Sequence, residues 1–340
     1  MKRLTRSRLA MTLGSLVLLA LAAAFFGLMT GPSDLGPGEV LDALLDSGPA
    51  GPAGDIVLRI RLPRVLLALL VGASLATSGV VFQALLHNPL ADPYVLGISG
   101  GAALAGIAML SLGAAAGFGA AAVPPAAFAG SALTTIALYA VAGTSGRVSP
   151  TSLLLTGVVF NAFASAAIVF LASLAGLAEG ARIFLWLIGN LGAAAFGSAW
   201  VVALFLGIGF GVAVALARSL NLLALGDETA EHLGVATERH KRWLLAATAL
   251  MVGAAVSVAG LVGFVGLIIP HLLRIVIGAD HRLLVPSSAL AGGAFLVVCD
   301  TLARTVLGGR ELPVGAITAI VGGPLFLWLL RRHHHRVLTP

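Results

Sequence analysis

Leu69 to Gly79 reads LLVGASLATSG, and Leu250 to Gly260 reads LMVGAAVSVAG. Gly72 falls opposite Gly253, Gly79 opposite Gly260, Pro89 opposite Pro270 and Gly97 opposite Gly278, all at one offset of 181 residues. Both stretches are apolar on every side, which suits a helix buried in lipid or in a core, and their small residues fall where two backbones would approach closely. Chance likeness between Gly/Ala-rich helices is the competing explanation, because apolar identities are cheap. The prolines and glycines that stay in register carry the pairing.

Other apolar runs lie on either side. A spanning helix needs about 20 predominantly apolar residues, and runs of that kind occupy roughly 9–29, 64–86, 95–113, 122–142, 152–175, 199–217, 243–261, 264–278, 284–303 and 314–330. The count is about ten. The paired stretches are then the second and seventh spans, five apart, and cross the bilayer in opposite directions. The expected fold is therefore all-α integral membrane, with five plus five helices in an inverted-topology repeat, an arrangement many transporters use. The first repeat covers about 9–175 and the second about 199–331, in a single transmembrane domain spanning 1–340.

Composition agrees with lipid as the main solvent. Hydrophobic residues make up 59% of the 340 and charged residues only 10%, against about a quarter in soluble domains. A net charge of +6 could point to nucleic acid, but the basic residues are scattered at the ends of apolar runs, which is how membrane orientation is set. No nucleic-acid partner is expected. The segment after Lys2, Arg3, Arg6 and Arg8 can be read as a signal peptide or a first span; its apolar run is long for a signal and lacks a clear A-x-A site, which favours an uncleaved helix. With an even number of spans and a basic N-terminus in the cytoplasm, both termini are cytoplasmic. Arg147, Arg218, Arg239, Lys241, Arg242, Arg274, Arg282, Arg331, Arg332 and Arg336 then lie inside too, 14 of the 20 basic residues with the four at the N-terminus. Arg59, Arg61, Arg64, Arg182, Arg304 and Arg310 are the exceptions and ask for another role.

From Arg218 to Arg242 the chain turns polar. Leu222 to Gly234 reads LLALGDETAEHLG, too polar to span and too patterned for a plain connector. Asp227 can cap a short helix whose apolar face includes Ala230 and Leu233, with Gly226 and Gly234 at its ends. Such an amphipathic helix is a docking surface or, more blandly, a solvated loop helix. No G-x-x-x-x-G-K-[ST] pattern occurs, so any nucleotide must be bound by a partner.

Arg59, Arg61 and Arg64 precede the second span, and Arg310 with Glu311 precedes the tenth, on the outer face by this topology. Guanidinium groups at a membrane mouth favour a carboxylate-bearing partner; the alternative is that they snorkel to headgroups. Asp300 and Arg304 lie four apart within a span, close enough to neutralise each other, and read as a structural pair sooner than an ion-coupling site. Asn161 and Ser165 share one side of the fifth span, and Trp186 follows in a segment broken by Gly189, Asn190 and Gly192. Ser149, Thr151 and Ser152 can be pore residues or helix caps beside Pro150. His271 after Pro270 reads as structural, and His333, His334 and His335 beside Arg331 and Arg332 as a basic anchor, so no metal site is expected. Cys299, the only cysteine, has no thiol partner for a disulfide or metal site.

Arg61-Leu-Pro-Arg64, Asn88-Pro-Leu-Ala-Asp-Pro93, Gly97-Ile-Ser-Gly-Gly101, Leu220 to Gly226, Gly263-Phe-Val-Gly-Leu-Ile-Ile-Pro-His271 and Glu311-Leu-Pro-Val-Gly315 together resemble the FecCD family of permeases. These are membrane subunits of ABC importers for iron-siderophores, haem and cobalamin. The resemblance implies a homodimer with the pore between two copies, two ATP-binding subunits below that hold ATP and Mg, and a substrate-binding protein above. It implies no cofactor and no catalytic residue in this chain, and a place in a bacterial or archaeal cytoplasmic membrane. It makes Leu225, Gly226, Asp227, Glu228, Ala230, Leu233 and Gly234 the element that couples to the ATPase. Arg61 and Arg64 stand at the family's positions for docking the binding protein, with Arg59 and Arg310 added by topology. It places Asn161, Ser165 and Trp186 by the translocation path and its outer mouth, and Ser149, Thr151 and Ser152 at its cytoplasmic narrowing. A self-sufficient transporter driven by an ion gradient is the rival reading, permitted by the repeat alone.

Overall fold

The computed structural model describes residues 5–33, 35–45, 51–113, 117–144, 147–192, 194–307 and 311–337. Its helices are α1 (Arg6–Met29), α2 (Pro37–Leu45), α3 (Pro52–Asp55), α4 (Leu62–Leu85), α5 (Ile98–Leu112), α6 (Val123–Ala142), α7 (Pro150–Leu174) and α8 (Leu177–Leu187). They continue with α9 (Phe196–Ala215), α10 (Ala217–Leu223), α11 (Asp227–His232), α12 (Thr237–Ala259), α13 (Val265–Ile277), α14 (His281–Thr305) and α15 (Val314–Val337). A π-helical stretch, Ile56–Arg61, fuses α3 to α4, and a two-stranded hairpin, Gly143–Thr144 with Arg147–Val148, joins α6 to α7. Among the described residues, seven helices are long and apolar enough to cross a bilayer, and α5, α13 and the Val314–Leu329 part of α15 are shorter apolar helices.

Burial sorts these helices into a centre and a periphery. α4 is the axis: 83% of its apolar window is buried, against 22% for α7 and α9 and 11% for α1. It packs on α14, α9, α13 and α12, while α5 lies on α6 and α7. Lipid tails are as apolar as leucine, so contact between these helices depends on packing and hydrogen bonds, and glycine is what brings them close. A Cβ on Gly72 would collide with the carbonyl of Gly292 in α14, and one on Gly79 with the carbonyl of Gly266 in α13. The apolar faces of α7 and α9, with Val159, Phe163, Trp200 and Leu204 exposed, are unfilled within one chain.

The repeated stretches are alike in their first part only. Gly72 and Gly253 both lie inside helices, but Gly79 is mid-helix in α4 whereas Gly260 ends α12 with φ +67°. Pro89 sits in the connector after α4 while Pro270 lies inside α13; Gly97 opens α5 and Gly278 closes α13. The sequence pairing therefore continues past the point where local structure diverges.

Two motifs far apart in sequence meet here. Asn88 Oδ1 accepts from the Leu90 amide (2.9 Å) and Asp92 Oδ1 from the Tyr94 amide (2.7 Å), folding the connector into tight side-chain turns. The Asp92 carboxylate also takes the Leu267 amide, and Gln83 Nε2 donates to the Leu267 carbonyl (3.1 Å). Leu267 is in the first turn of α13, where helix amides lack partners, so Asp92 caps that helix from outside it. The cap fixes α13 just after Phe264, whose φ of +70° is a left-handed conformation rare for a bulky side chain.

Arg61 and Arg64, at the start of α4, prove to be internal fasteners. The helix does not start near residue 64, as the apolar run suggests, but is continuous from Pro52 through the π-helical stretch. Arg61 is 2% exposed, and its guanidinium donates to the carbonyls of Leu28 (2.7 Å), Met29 (3.0 Å) and Ser33 (2.7 Å) where α1 ends. Arg64 reaches both oxygens of Asp300 through Nε (3.1 Å) and both oxygens of Glu311 through one terminal nitrogen (2.9 and 3.0 Å). Arg304 lies 3.1 Å from the same Asp300 and donates to the Gly27 carbonyl (3.1 Å). Asp300 and Arg304 do pair, as their spacing suggests, but within a cluster of two guanidiniums and two carboxylates that closes α1, α4, α14 and residue 311 together.

Removing one member of a buried charge pair is costly because its partners stay charged and dry, about 3–5 kcal/mol, whereas an exposed pair contributes about 0–1 kcal/mol. Asp300 is 1% exposed and Glu311 about half exposed. Asp300→Asn should therefore lower the thermal unfolding temperature of the purified chain far more than Glu311→Gln. Equal shifts would show that Asp300 is not the centre of the cluster.

Candidate functional site

The polar segment 218–242 folds as α10, a turn, α11 and the start of α12. Gly226 (φ +112°) and Gly234 (φ +84°) bracket α11 in backbone conformations that side chains disfavour. Two expectations need correcting. Asp227 does not cap α11: Gly226 occupies the cap position without a side-chain bond, and Asp227 is drawn off to Lys241, 2.6 Å away. Ala230 is not on an outward apolar face but fully buried; the exposed apolar pair is Leu225 and Leu233. Glu228, Glu231 and His232 surround them, exposed. The result is a short turn of helix carrying two leucines amid acidic residues.

This helix is pinned from beneath. Lys241, 4% exposed, donates to Asp227 and to the Val148 carbonyl (2.9 Å), and lies 3.4 Å from Glu238. Glu238 accepts from the Val148 amide (3.3 Å) and the Tyr139 hydroxyl (3.3 Å). Thr237 donates to Glu231 (2.7 Å). On the other side, Asn221 donates to Asp280 (3.0 Å) and accepts from the His281 amide (2.8 Å), while His87 Nε2 lies 2.6 Å from the Leu223 carbonyl. Asp280 also takes the Arg282 guanidinium (2.6 Å), and those bonds hold its carboxyl well below the usual carboxylate range. Sequence pattern marked the segment; the partners that hold it come from α4, α6, the hairpin and α14, too far along the chain for spacing to reveal.

At the other end of the molecule, Arg59 is exposed and pairs with Asp55 (3.0 Å) on its own helix. Arg61 and Arg64, expected at a docking surface, are instead buried and occupied by partners in the same chain, so neither guanidinium is free to meet another protein in this conformation. Arg310 lies outside the described residues. Glu311, half exposed beside Arg64, is the cluster member that reaches solvent.

The expected pore residues do not converge. Ser149 caps α7, its hydroxyl accepting from the Ser152 amide (3.0 Å) and donating to the Ser152 hydroxyl (2.8 Å), with Thr151 exposed beside them. Asn161 donates to the Tyr94 carbonyl (2.9 Å), binding α7 to the connector before α5, and Ser165 is exposed one turn on. Trp186 lies half-buried with its indole over Gly106 of α5. None of these six lines a cavity of about 430 Å³ bordered by Tyr94, Val95, Ile188, Phe264, Leu267 and Ala316. Its walls come from the end of α8, next to Trp186, and from the connectors before α5 and α13 and the first turn of α15, which were given no pore role above. Among the described residues no three His, Cys, Asp or Glu side chains gather as metal ligands. His271 lies edge-on to Phe326, ring centres 6.1 Å apart, and Cys299 is buried as a free thiol.

Comparison with known proteins agrees with this architecture. Residues 18–332 match the FecCD transport family. A cobalamin import system permease protein, BtuC, of Halobacterium salinarum is 44% identical over 87% of this chain and 79% of its own length. The hemin transport system permease protein HmuU of Yersinia pestis is 42% identical over 83% of this chain and 84% of its own. A solved inward-facing structure of an ABC transporter of metal-chelate type superposes with a TM-score of 0.83 at 28% identity, over 94% of this chain and 98% of that one. With the match running through nearly every helix, the chain belongs to the FecCD transport family, whose permeases are non-catalytic transport subunits.

Proposed function

We propose that this chain is the membrane-spanning permease subunit of an ATP-driven ABC importer for a metal chelate of the siderophore, haem or cobalamin type. The observation that carries the reading is the pinned α10–α11 segment, with Leu225 and Leu233 exposed, in a chain matched to the FecCD family over residues 18–332. It is a multi-pass protein of a bacterial or archaeal cytoplasmic membrane. The seven long and three shorter apolar helices make ten crossings in five plus five, with both termini cytoplasmic. Gly72 inside α4 and Gly253 inside α12, one offset of 181 residues apart, support the inverted repeat. Two copies enclose the pore, the exposed faces of α7 and α15 supplying part of the surface between them. Asn161, Ser165 and Trp186 stand along its upper part and Ser149, Thr151 and Ser152 at its lower end. Relatives named for cobalamin and for hemin are almost equally similar, so cargo is assigned as a class.

ATP is bound by a partner that receives Leu225, Gly226, Asp227, Glu228, Ala230, Leu233 and Gly234, the leucines making contact and buried Ala230 seating the helix. The binding protein docks on the outer face, where Arg59 and Arg310 present charge and Arg61 and Arg64 hold the surface in shape. Reconstituted with its ATPase and binding protein, the chain should accumulate chelate in liposomes only with ATP. Accumulation by the chain alone, driven by an ion gradient, would overturn the assignment. Leu225→Asp with Leu233→Asp should abolish co-purification of the ATPase while the chain stays folded, since a buried apolar anchor contributes about 1.5–3 kcal/mol each; undiminished co-purification places the coupling contact elsewhere. Arg59→Glu should weaken capture of the binding protein several-fold, more so at low salt; unchanged affinity removes Arg59 from that surface.

A further inference from the structure

The bonds beneath α11 form a continuous line from the docking helix to the foot of α7. Asp227 in the first turn of α11 holds the Lys241 ammonium at 2.6 Å, and the same ammonium donates to the Val148 carbonyl at 2.9 Å. Glu238, one turn before Lys241, accepts from the amide of the same Val148 at 3.3 Å. Both polar groups of one peptide residue are thus gripped by two side chains of α12. The next residue, Ser149, is the cap of α7. From α11 to the end of α7 the path needs only two side-chain bonds and one peptide link.

The path is also stiff. Lys241 is 4% exposed, and the space left among Leu85, Val148, Leu153, Lys241 and Leu245 is about 10 Å³, at the lower limit of what one water needs. Little space is left there for water to stand in for the ammonium on Val148. A close-packed interior passes a displacement on instead of absorbing it. α10 is held by separate bonds, from Asn221 to Asp280 and between the Leu223 carbonyl and His87.

We propose that Lys241 is the positioning residue that carries movement of the docking helix to α7, by tying Asp227 to the Val148 carbonyl next to the α7 cap. The inference rests on α11 being the site of ATPase coupling. It adds that docking and transmission are separable, because Lys241 is buried beneath the segment that exposes Leu225 and Leu233. When α11 shifts, Asp227 draws Lys241 with it, and Val148 and the first turn of α7 follow. A neutral side chain at 241 leaves the leucine surface in place but cuts the line above it.

The test uses the assembled importer in liposomes. Lys241→Met should co-purify with the ATPase at the wild-type ratio and hydrolyse ATP within about twofold of wild type, while chelate imported per ATP falls at least tenfold; Lys241→Arg, which keeps two donors on one charged group, should recover much of that loss. A purely structural role would instead lower unfolding temperature and hydrolysis together and leave the import-to-hydrolysis ratio unchanged. That result, or a wild-type ratio in Lys241→Met, overturns the inference. Should Lys241→Met not fold, Lys241→Gln retains a neutral donor, and its import-to-hydrolysis ratio decides in the same way. Loss of the ATPase from the double leucine variant tests the coupling assignment by itself, so the two ideas fail on different measurements.

Discussion

Close backbone contact along α4 is the constraint on which the remaining structure depends. In lipid no solvent pushes apolar helices together, so the helix that touches most others must offer them its backbone. Gly72 against Gly292 and Gly79 against Gly266 do this on α14 and α13. Once these contacts are made, the positions of Arg64, Gln83 and the connector that holds Asp92 follow, because all three ride on α4 or its end. The charge cluster around Asp300 and the cap on α13 are consequences of where that one helix sits.

The two ends of α4 meet different demands. At its N-terminal end the problem is charge: guanidiniums among helices are tolerable only with carboxylates or carbonyls in reach, and α1, α14 and Glu311 supply them. At the other end the problem is broken helix, where unpaired amides and carbonyls must find partners within the protein. Asp92, Asn88 and Gln83 provide those partners. Irregular backbone between α12 and α13 is stable because a second irregular segment completes it, and a cavity of about 430 Å³ lies against both.

Much of this was legible in the sequence. Apolar run length located most of the long helices to within a few residues, since a bilayer demands length and hydrophobicity from one contiguous stretch, but it missed the extension of α4 back to Pro52. The polar break at 218–242 was visible for the same reason in reverse. What stayed hidden was pairing at long range. Arg61 and Arg64 looked like outward charges because topology gives a side of the membrane and not a burial, and nothing near them in sequence announces Asp300 or the Leu28 carbonyl. Asp227 looked like a cap because local spacing favours capping, yet a buried lysine 14 residues on competes better for its carboxylate. The fate of Ala230 and Leu233 was likewise undecidable from a six-residue helix, too short for its pattern to say which side faces in.

The π-helical stretch before α4 bears on how this family can drift. An α-helix turns about 100° per residue, and a single π turn holds one residue more than the α turn it replaces. Ile56–Arg61 therefore sets the angle at which Arg59 and Asp55 emerge relative to Arg64. Substitution of an exposed residue such as Arg59 alters only the side chain presented, whereas loss of one residue would swing the whole preceding turn to another side of the helix. Length here should be the property least free to change, even where composition varies.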